Sequence, residues 1–167
     1  MKHFFAFLFS VPLLFTNSFM TPEAGAKNQW AVELGSSFVF RNAYPQVKVG
    51  YLLNDVFEGL EIGALYGAGI DNFQLLSHTG GIHVKQHILT SGYFQPFLQA
   101  GVMGAFRSGD TLTPDVTTLF GAAVGAGADG QIYGPWGYHA SVHLVFPDIY
   151  SRSPFVFRPE LNIRYVF

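Results

Sequence analysis

The last thirteen residues, Phe155 to Phe167 (FVFRPELNIRYVF), constrain the fold more than any other stretch of the chain. In an extended strand, successive side chains point to opposite faces. One set is then Phe155, Phe157, Pro159, Leu161, Ile163, Tyr165 and Phe167. The other is Val156, Arg158, Glu160, Asn162, Arg164 and Val166. One face is apolar and aromatic, and the other carries two Arg, one Glu and one Asn. A strand of a soluble sandwich also alternates, with its apolar face toward the core. Here the apolar face ends on Tyr165 and Phe167, the pattern of an aromatic girdle at a membrane interface.

Composition favours the membrane. Charged residues are 12% of the chain, against about 25% in soluble domains, while aromatics reach 17% with 18 Phe. So few charges cannot cover a water-facing surface, but a wall facing lipid needs none there. The length of 167 residues fits one domain. The formal net charge of −2 gives no basic patch for phosphates, so no nucleic-acid partner is expected. The absence of Cys excludes disulfides, thiolate metal sites, a Cys nucleophile and a lipid-modified Cys anchor.

At the start, Met1-Lys2-His3 precedes a largely apolar run from Phe4 to Phe15, and Ala24-Gly25-Ala26 offers a small-residue cleavage site. The run is too short for a membrane helix, which needs about 20 residues. Residues 1–26 are therefore expected to be a secretory signal peptide, and residues 27–167 the mature domain. No later apolar run reaches the roughly 18 residues of a spanning helix, which leaves a β-barrel as the membrane option.

The mature chain repeats the two-faced pattern. Gln29–Arg41 sets Trp30, Val32, Leu34, Phe38 and Phe40 against Glu33, Gly35, Ser37 and Arg41. Asn42–Pro45 reads as a turn. Gln46–Leu53 sets Val47, Val49, Tyr51 and Leu53 against Gln46, Lys48 and Gly50. Glu58–Ile70 sets Leu60, Ile62, Ala64, Tyr66 and Ala68 against Glu61, Gly63, Leu65, Gly67 and Gly69. Asp71–Gly80 reads as a loop. Gly81–Leu89 follows, with His83, Lys85 and His87 on the polar face and Gln86 interrupting the apolar one. Gln95–Phe106 sets Leu98, Ala100, Val102 and Phe106 against Gln99, Gly101, Met103 and Ala105. Arg107–Asp115 is a loop, and a small-residue strand runs from Val116 to about Ile132. Trp136–Phe146 turns Gly137, His139, Ser141 and His143 inward, Pro147–Pro154 is the last loop, and the closing strand follows. Eight strands, an even number, predict an all-β, eight-stranded antiparallel up-and-down transmembrane β-barrel. In a soluble ligand-binding barrel the large residues would point inward. Here the inner set is Gly with Glu, Arg, Lys and His.

With its terminal Phe, the stretch Pro96-Phe97-Leu98-Gln99-Ala100-Gly101 and the Gly-rich Phe120–Ala126 (FGAAVGA), the chain resembles the small bacterial outer-membrane barrels of the opacity-protein and OmpA-transmembrane-domain type. The resemblance implies a Gram-negative outer membrane, with outer-membrane lipids and lipopolysaccharide as partners. Members serve as structural anchors, adhesins, serum-resistance factors or lipid-modifying enzymes, so the fold does not choose among roles.

One constellation carries candidate chemistry. A hairpin through residues 147–154 that opposes Phe146 and Phe155 also sets Ser141 against Glu160, His143 against Arg158 and His139 against Asn162. A hydroxyl, a histidine and a carboxylate are the parts of an acyl-transfer triad. His139-Ala140-Ser141 resembles the His-x-Ser pair of lipid A 3-O-deacylases, which implies His139 or His143, Ser141 and Glu160 as catalytic residues. The chain departs from that family at Val142-His143, where the family has Asn-Ala, and in facing the pair inward. Filling of the barrel interior is the other reading. His83, Lys85 and His87 suggest a metal site, but Lys85 adds positive charge between the imidazoles, so no metal and no cofactor are expected. Glu33, Arg41, Lys48, Glu61, Arg158, Glu160 and Arg164 are expected to form a lumenal ion-pair plug. The expected role is structural or surface-interactive. The alternatives are a lipid A-modifying acyl hydrolase and a narrow passive pore.

Overall fold

The computed structural model describes residues 28–39, 42–70, 76–90, 93–107, 117–146 and 154–167. Eight strands make up the architecture: β1 (Gln29–Val39), β2 (Asn42–Leu52), β3 (Leu60–Ile70), β4 (Leu76–His87), β5 (Gln95–Arg107), β6 (Thr117–Tyr133), β7 (Trp136–Phe146) and β8 (Val156–Val166). Each pairs antiparallel with the next, and β8 pairs with β1 to close the barrel. The closing seam runs from Ala31↔Val166 to Ser37↔Glu160 and ends in reciprocal 2.9 Å backbone bonds between Trp30 and Phe167. Closure leaves no strand edge unpaired, the condition for crossing a bilayer as a sheet.

The alternation sorts side chains as the sequence predicts. Leu34, Ile62, Ile82, Val102, Val142, Leu161 and Ile163 are exposed on the outer wall. Glu33, Lys48, Glu61, Lys85, His139, Ser141, Arg158 and Glu160 are buried within. At the end where β1 begins and β8 stops, Trp30 packs on Tyr51 and Trp136 on Tyr165, each at 4.8 Å between ring centroids. These amphipathic rings form the interfacial girdle on that side. The β6–β7 connection there is the two residues 134–135, with Gly134 at a φ of 56°, a left-handed value that suits Gly.

Several boundaries differ from the sequence expectation. Asn42–Pro45 is the start of β2 and not a turn, because Ser36, Ser37, Phe38 and Val39 continue to pair with Pro45, Tyr44, Ala43 and Asn42. Leu76–Gly80, expected as part of a loop over 71–80, belongs to β4 and pairs with β3 from Ile70↔Leu76 onward, while residues 71–75 lie outside the described residues. Glu58 and Gly59 lie in the turn before β3; Gly59 has a φ of 73°, and its carbonyl accepts from the His87 N–H at 2.9 Å. Arg107 is the last residue of β5, paired with Ser77 and Thr117. At Asn42–Pro45, Leu76–Gly80 and Arg107 cross-strand pairing overrode local turn composition, whereas at Glu58–Gly59 the left-handed Gly59 ends the turn before the strand begins. The expected signal peptide 1–26, the Phe40-Arg41 extension of β1, and the loop segments 108–116 and 147–153 lie outside the described residues.

The interior has two zones. Toward the end where the termini meet, it is filled by charged and imidazole side chains. Toward the opposite end, Val39, Tyr44, Leu65, Met103, Ala105, Ala123, Val145 and Val156 form one apolar cluster.

Candidate functional site: the polar interior

The register expected for the last hairpin is the one observed: Ser141↔Glu160, His143↔Arg158 and His139↔Asn162. All four candidate catalytic residues, His139, Ser141, His143 and Glu160, therefore meet, and all are buried. Ser141 Oγ lies 3.0 Å from His139 Nε2, 2.9 Å from His143 Nε2 and 3.5 Å from Glu160 Oε2. Pro159 faces outward between them in sequence, opposite Val142 and one residue past the last β1–β8 pair.

A residue not singled out in the sequence completes the arrangement. Asp129 Oδ1 lies 2.7 Å from His139 Nδ1. With His139 donating from Nδ1 to that carboxylate, its Nε2 accepts the Ser141 hydroxyl, and Ser141 Oγ in turn accepts from His143 Nε2. Carboxylate, imidazole and hydroxyl stand in triad order. The signal for Asp129 was available: the inward positions Gly121, Ala123, Gly125 and Gly127 on β6 lead directly to it.

What surrounds these groups is not a substrate cleft. Lys85 Nζ meets Asp129 Oδ2 at 2.8 Å and both Glu33 Oε1 and Glu61 Oε2 at 3.2 Å. The Arg164 guanidinium bridges Glu33 and Glu61 at 2.5 Å each and reaches Asp129 at 3.2 Å. His87 Nε2 contacts Asp129 at 2.9 Å while its Nδ1 faces the Gly59 carbonyl at 3.0 Å. On the other side Glu160 is held by Lys48 and, at 2.7 Å, by Arg158. Arg158 continues to Gln46 at 2.6 Å, and Gln46 to Asn162 at 3.1 Å. The Phe97 ring stacks on His139 at 5.1 Å and lies 5.0 Å from the Lys85 ammonium. His139 and Ser141 are left 0% and 6% exposed.

Among the described residues the buried ionic groups balance: carboxylates Glu33, Glu61, Asp129 and Glu160 against Lys48, Lys85, Arg158 and Arg164. Each carboxylate touches at least one cation. The expected lumenal ion-pair network is therefore present, with Lys85 and Asp129 added and Arg41 outside the described residues. The suggested His83–Lys85–His87 metal grouping comes apart: His83 turns to Glu61 at 3.8 Å and His87 to Asp129, with Lys85 as their shared counter-ion. Three other groups bring ligand atoms within 4.8 Å of one another: His139–His143–Glu160, Glu33–Asp129–His139 and Glu61–His87–Asp129. In each, the ammonium of Lys48 or Lys85, or the Arg164 guanidinium, already holds the oxygens.

A closed eight-stranded sheet, apolar outside, girdled by aromatics and filled with paired charges, is the fold of a small transmembrane β-barrel, and this chain has that fold. Among solved structures it is similar to the N-terminal β-barrel domain of Pseudomonas aeruginosa OprF, with a TM-score of 0.69 at 17% identity over 84% of this chain and 98% of that one. It is also similar to Neisserial surface protein A, with a TM-score of 0.56 at 14% identity over 83% and 94%. The Yersinia pestis outer-membrane protein Ail, solved in a phospholipid bilayer nanodisc, gives 0.56 at 12% identity over 84% and 100%. No family model matches the chain, and no curated protein matches it in sequence.

Proposed function

We propose that the protein is a structural and surface-interacting element of the outer membrane: a rigid wall piece held in lipid by its outer band and shut along its axis. The observation that carries this reading is the double closure of the interior. A charge-balanced network fills one zone and the apolar cluster around Leu65, Met103 and Val145 fills the other. Among the described residues each buried carboxylate is paired with a cation, which leaves an ion no free charge to follow. The neighbours described as a surface protein and an outer-membrane protein support the location. Residues 1–26 are the export signal, removed so that the mature chain begins at Lys27, and lipopolysaccharide is the outer-leaflet partner.

The test has three parts. Unheated folded protein should migrate faster on a gel than boiled protein, as a closed barrel does. In planar bilayers it should give no unitary current; steady conductance would overturn the closed interior in favour of the narrow pore. Intact mass of the exported protein should match residues 27–167. The acyl-hydrolase reading has triad-like geometry behind it, but Ser141 faces the interior and not lipid. Incubation with lipid A, followed by mass spectrometry, should show every acyl chain retained. Chain loss abolished by Ser141→Ala would reverse that conclusion.

A further inference from the structure

Every strand has a neighbour on each side, but two seams of the wall are stitched over less of their length than the rest. Toward the end opposite the termini, six of the eight strand pairings run until one of their two strands ends. The other two stop early. The β1–β8 pairing stops at Ser37↔Glu160, although β1 continues to Val39 and β8 begins at Val156. The β2–β3 pairing stops at Gln46↔Gly67, although β2 begins at Asn42 and β3 continues to Ile70. Next to each stop stands a proline, Pro159 on β8 and Pro45 on β2. Both seams border the same hairpin, β1–β2.

Backbone parity accounts for the stops. Opposed residues of an antiparallel pair alternate between exchanging both backbone bonds and exchanging none. Trp30 and Phe167 exchange both, so even-numbered residues of β1 bond to odd-numbered residues of β8, and Phe38 meets Pro159 at a bonding position. Odd-numbered residues of β1 then bond to β2, through pairs such as Gly35↔Gln46 and Ser37↔Tyr44. That turns the odd-numbered residues of β2 toward β3, Pro45 among them. A proline has no N–H, so each of the two withholds a donor from its seam and costs the hairpin itself nothing. In a closed barrel every strand is central, a place where proline is otherwise avoided.

What the hairpin presents inward decides how far it can move. On the terminal side of the two stops it carries Glu33 and Lys48, which cannot leave the interior for hydrocarbon. Beyond the stops its described inward residues are Val39 and Tyr44, neither of which carries a formal charge. At the stops themselves, Gln46 is tied to Arg158 at 2.6 Å and to Asn162 at 3.1 Å. The Ser37 hydroxyl beside it has no partner among the described residues. In this structure the hairpin is closed: the Tyr44 ring packs on Gly69, where a Cβ would lie 2.6 Å from Tyr44 Cδ1.

We propose that Phe38 and Val39, with Asn42–Pro45, form a lateral flap in the barrel wall. The flap hinges at Ser37 and Gln46 and swings toward lipid. It opens the apolar zone of the interior to hydrocarbon while the polar zone stays shut. From Gln46 to Asn42 the lever is about 13 Å at strand rise. This goes beyond the closed-interior reading above, which concerns the barrel axis and not its side.

The test uses the folded chain of residues 27–167 in lipid vesicles. It has no Cys of its own, so spin labels go on introduced pairs. Ile70→Cys with Leu76→Cys spans the fully paired β3–β4 seam. Ile70→Cys with Ala43→Cys spans the β2–β3 seam beyond Pro45. All three positions are exposed on the outer face. Dipolar distance measurements should give one narrow distance for the first pair. The second pair should add a population longer by about 10 Å, the reach of the lever. Pro45→Val and Pro159→Val together restore both donors and should cut the longer population about tenfold. Each valine is also placed singly, so a variant that fails to fold leaves the other to carry the comparison. A single narrow distance for both pairs overturns the flap, and so does a longer population that the valines leave unchanged. Every variant is first checked for heat-modifiable migration. A wild-type chain lacking it fails the barrel reading, whereas a folded barrel with one distance at both seams fails the flap alone.

Discussion

The two zones of the interior occupy the same barrel and are filled by opposite means. Near the termini, Glu33, Lys48, Glu61, Lys85, Asp129, Arg158, Glu160 and Arg164 are buried in mutual contact. Toward the other end, the cluster of Val39, Tyr44, Leu65, Met103 and their neighbours carries no formal charge. Burying ions costs desolvation energy that pairing only partly returns, so the polar zone is a poor source of net stability. It supplies register instead. Six of the eight strands place a charged group in it, and a slip of one residue would swing that group into lipid. A slip in the apolar zone exchanges one apolar residue for another and is penalised far less. The polar zone specifies the barrel, and the apolar zone seals it.

The largest expected effect comes from unbalancing the polar zone. Asp129→Ala removes the carboxylate that Lys85, Arg164, His87 and His139 share. Leaving those groups uncompensated should cost about 3–5 kcal/mol, read from urea unfolding of the folded protein in lipid vesicles. A cost below that of an ordinary surface change would mean that water fills the gap, and the zone would then not be sealed. In the apolar zone, Leu65→Ala should cost about 2–3 kcal/mol through lost burial and a residual cavity, with bilayers still silent. Current through that variant would show that Leu65 alone closes the axis. A subtler effect is coupling. Lys48→Met and Glu160→Gln should together cost less than the sum of the singles by about 1–2 kcal/mol, since each single variant strands a charge that the double variant removes. Additive costs would separate the pair energetically despite its contact.

Much of this was legible in the sequence, because period-two alternation reports directly which face each residue takes. Closure, strand count, the inward direction of His139, Ser141 and His143, and the Ser141↔Glu160 register all follow from parity and one hairpin. The failures share a cause. Asn42–Pro45 and Leu76–Gly80 have turn-like local composition, yet each is held extended by a neighbouring strand whose pairing no local window contains. Gln86 interrupts the apolar set of β4 for a similar reason: its amide donates to the Glu58 and His87 carbonyls at 3.0 Å each, across a turn that only the folded barrel assembles. Asp129 was missed because it sits in a Gly- and Ala-rich run that draws attention to packing, and its partners come from three other strands.

The smallest effect separates filler from catalyst, and it pairs a serine from each zone. Ser141→Ala removes the hydroxyl shared by His139 and His143 and should cost about 1 kcal/mol. The loss stays small because each imidazole keeps a polar neighbour: Lys48 stands 3.4 Å from His139 Nε2, and Glu160 stands 3.5 Å from His143 Nε2. Ser37, on the apolar side of the interior, has a buried Oγ with no hydrogen-bond partner among the described residues. Ser37→Ala should therefore be neutral or slightly stabilising, since it removes an unsatisfied polar atom. The pair is measured by unfolding midpoints in the same vesicles. A Ser141 hydroxyl that serves the fold gives a cost at Ser141, none at Ser37, and no change in lipid A. A nucleophile gives the opposite signature, with little or no stability lost at Ser141 and acyl release that ends with the substitution.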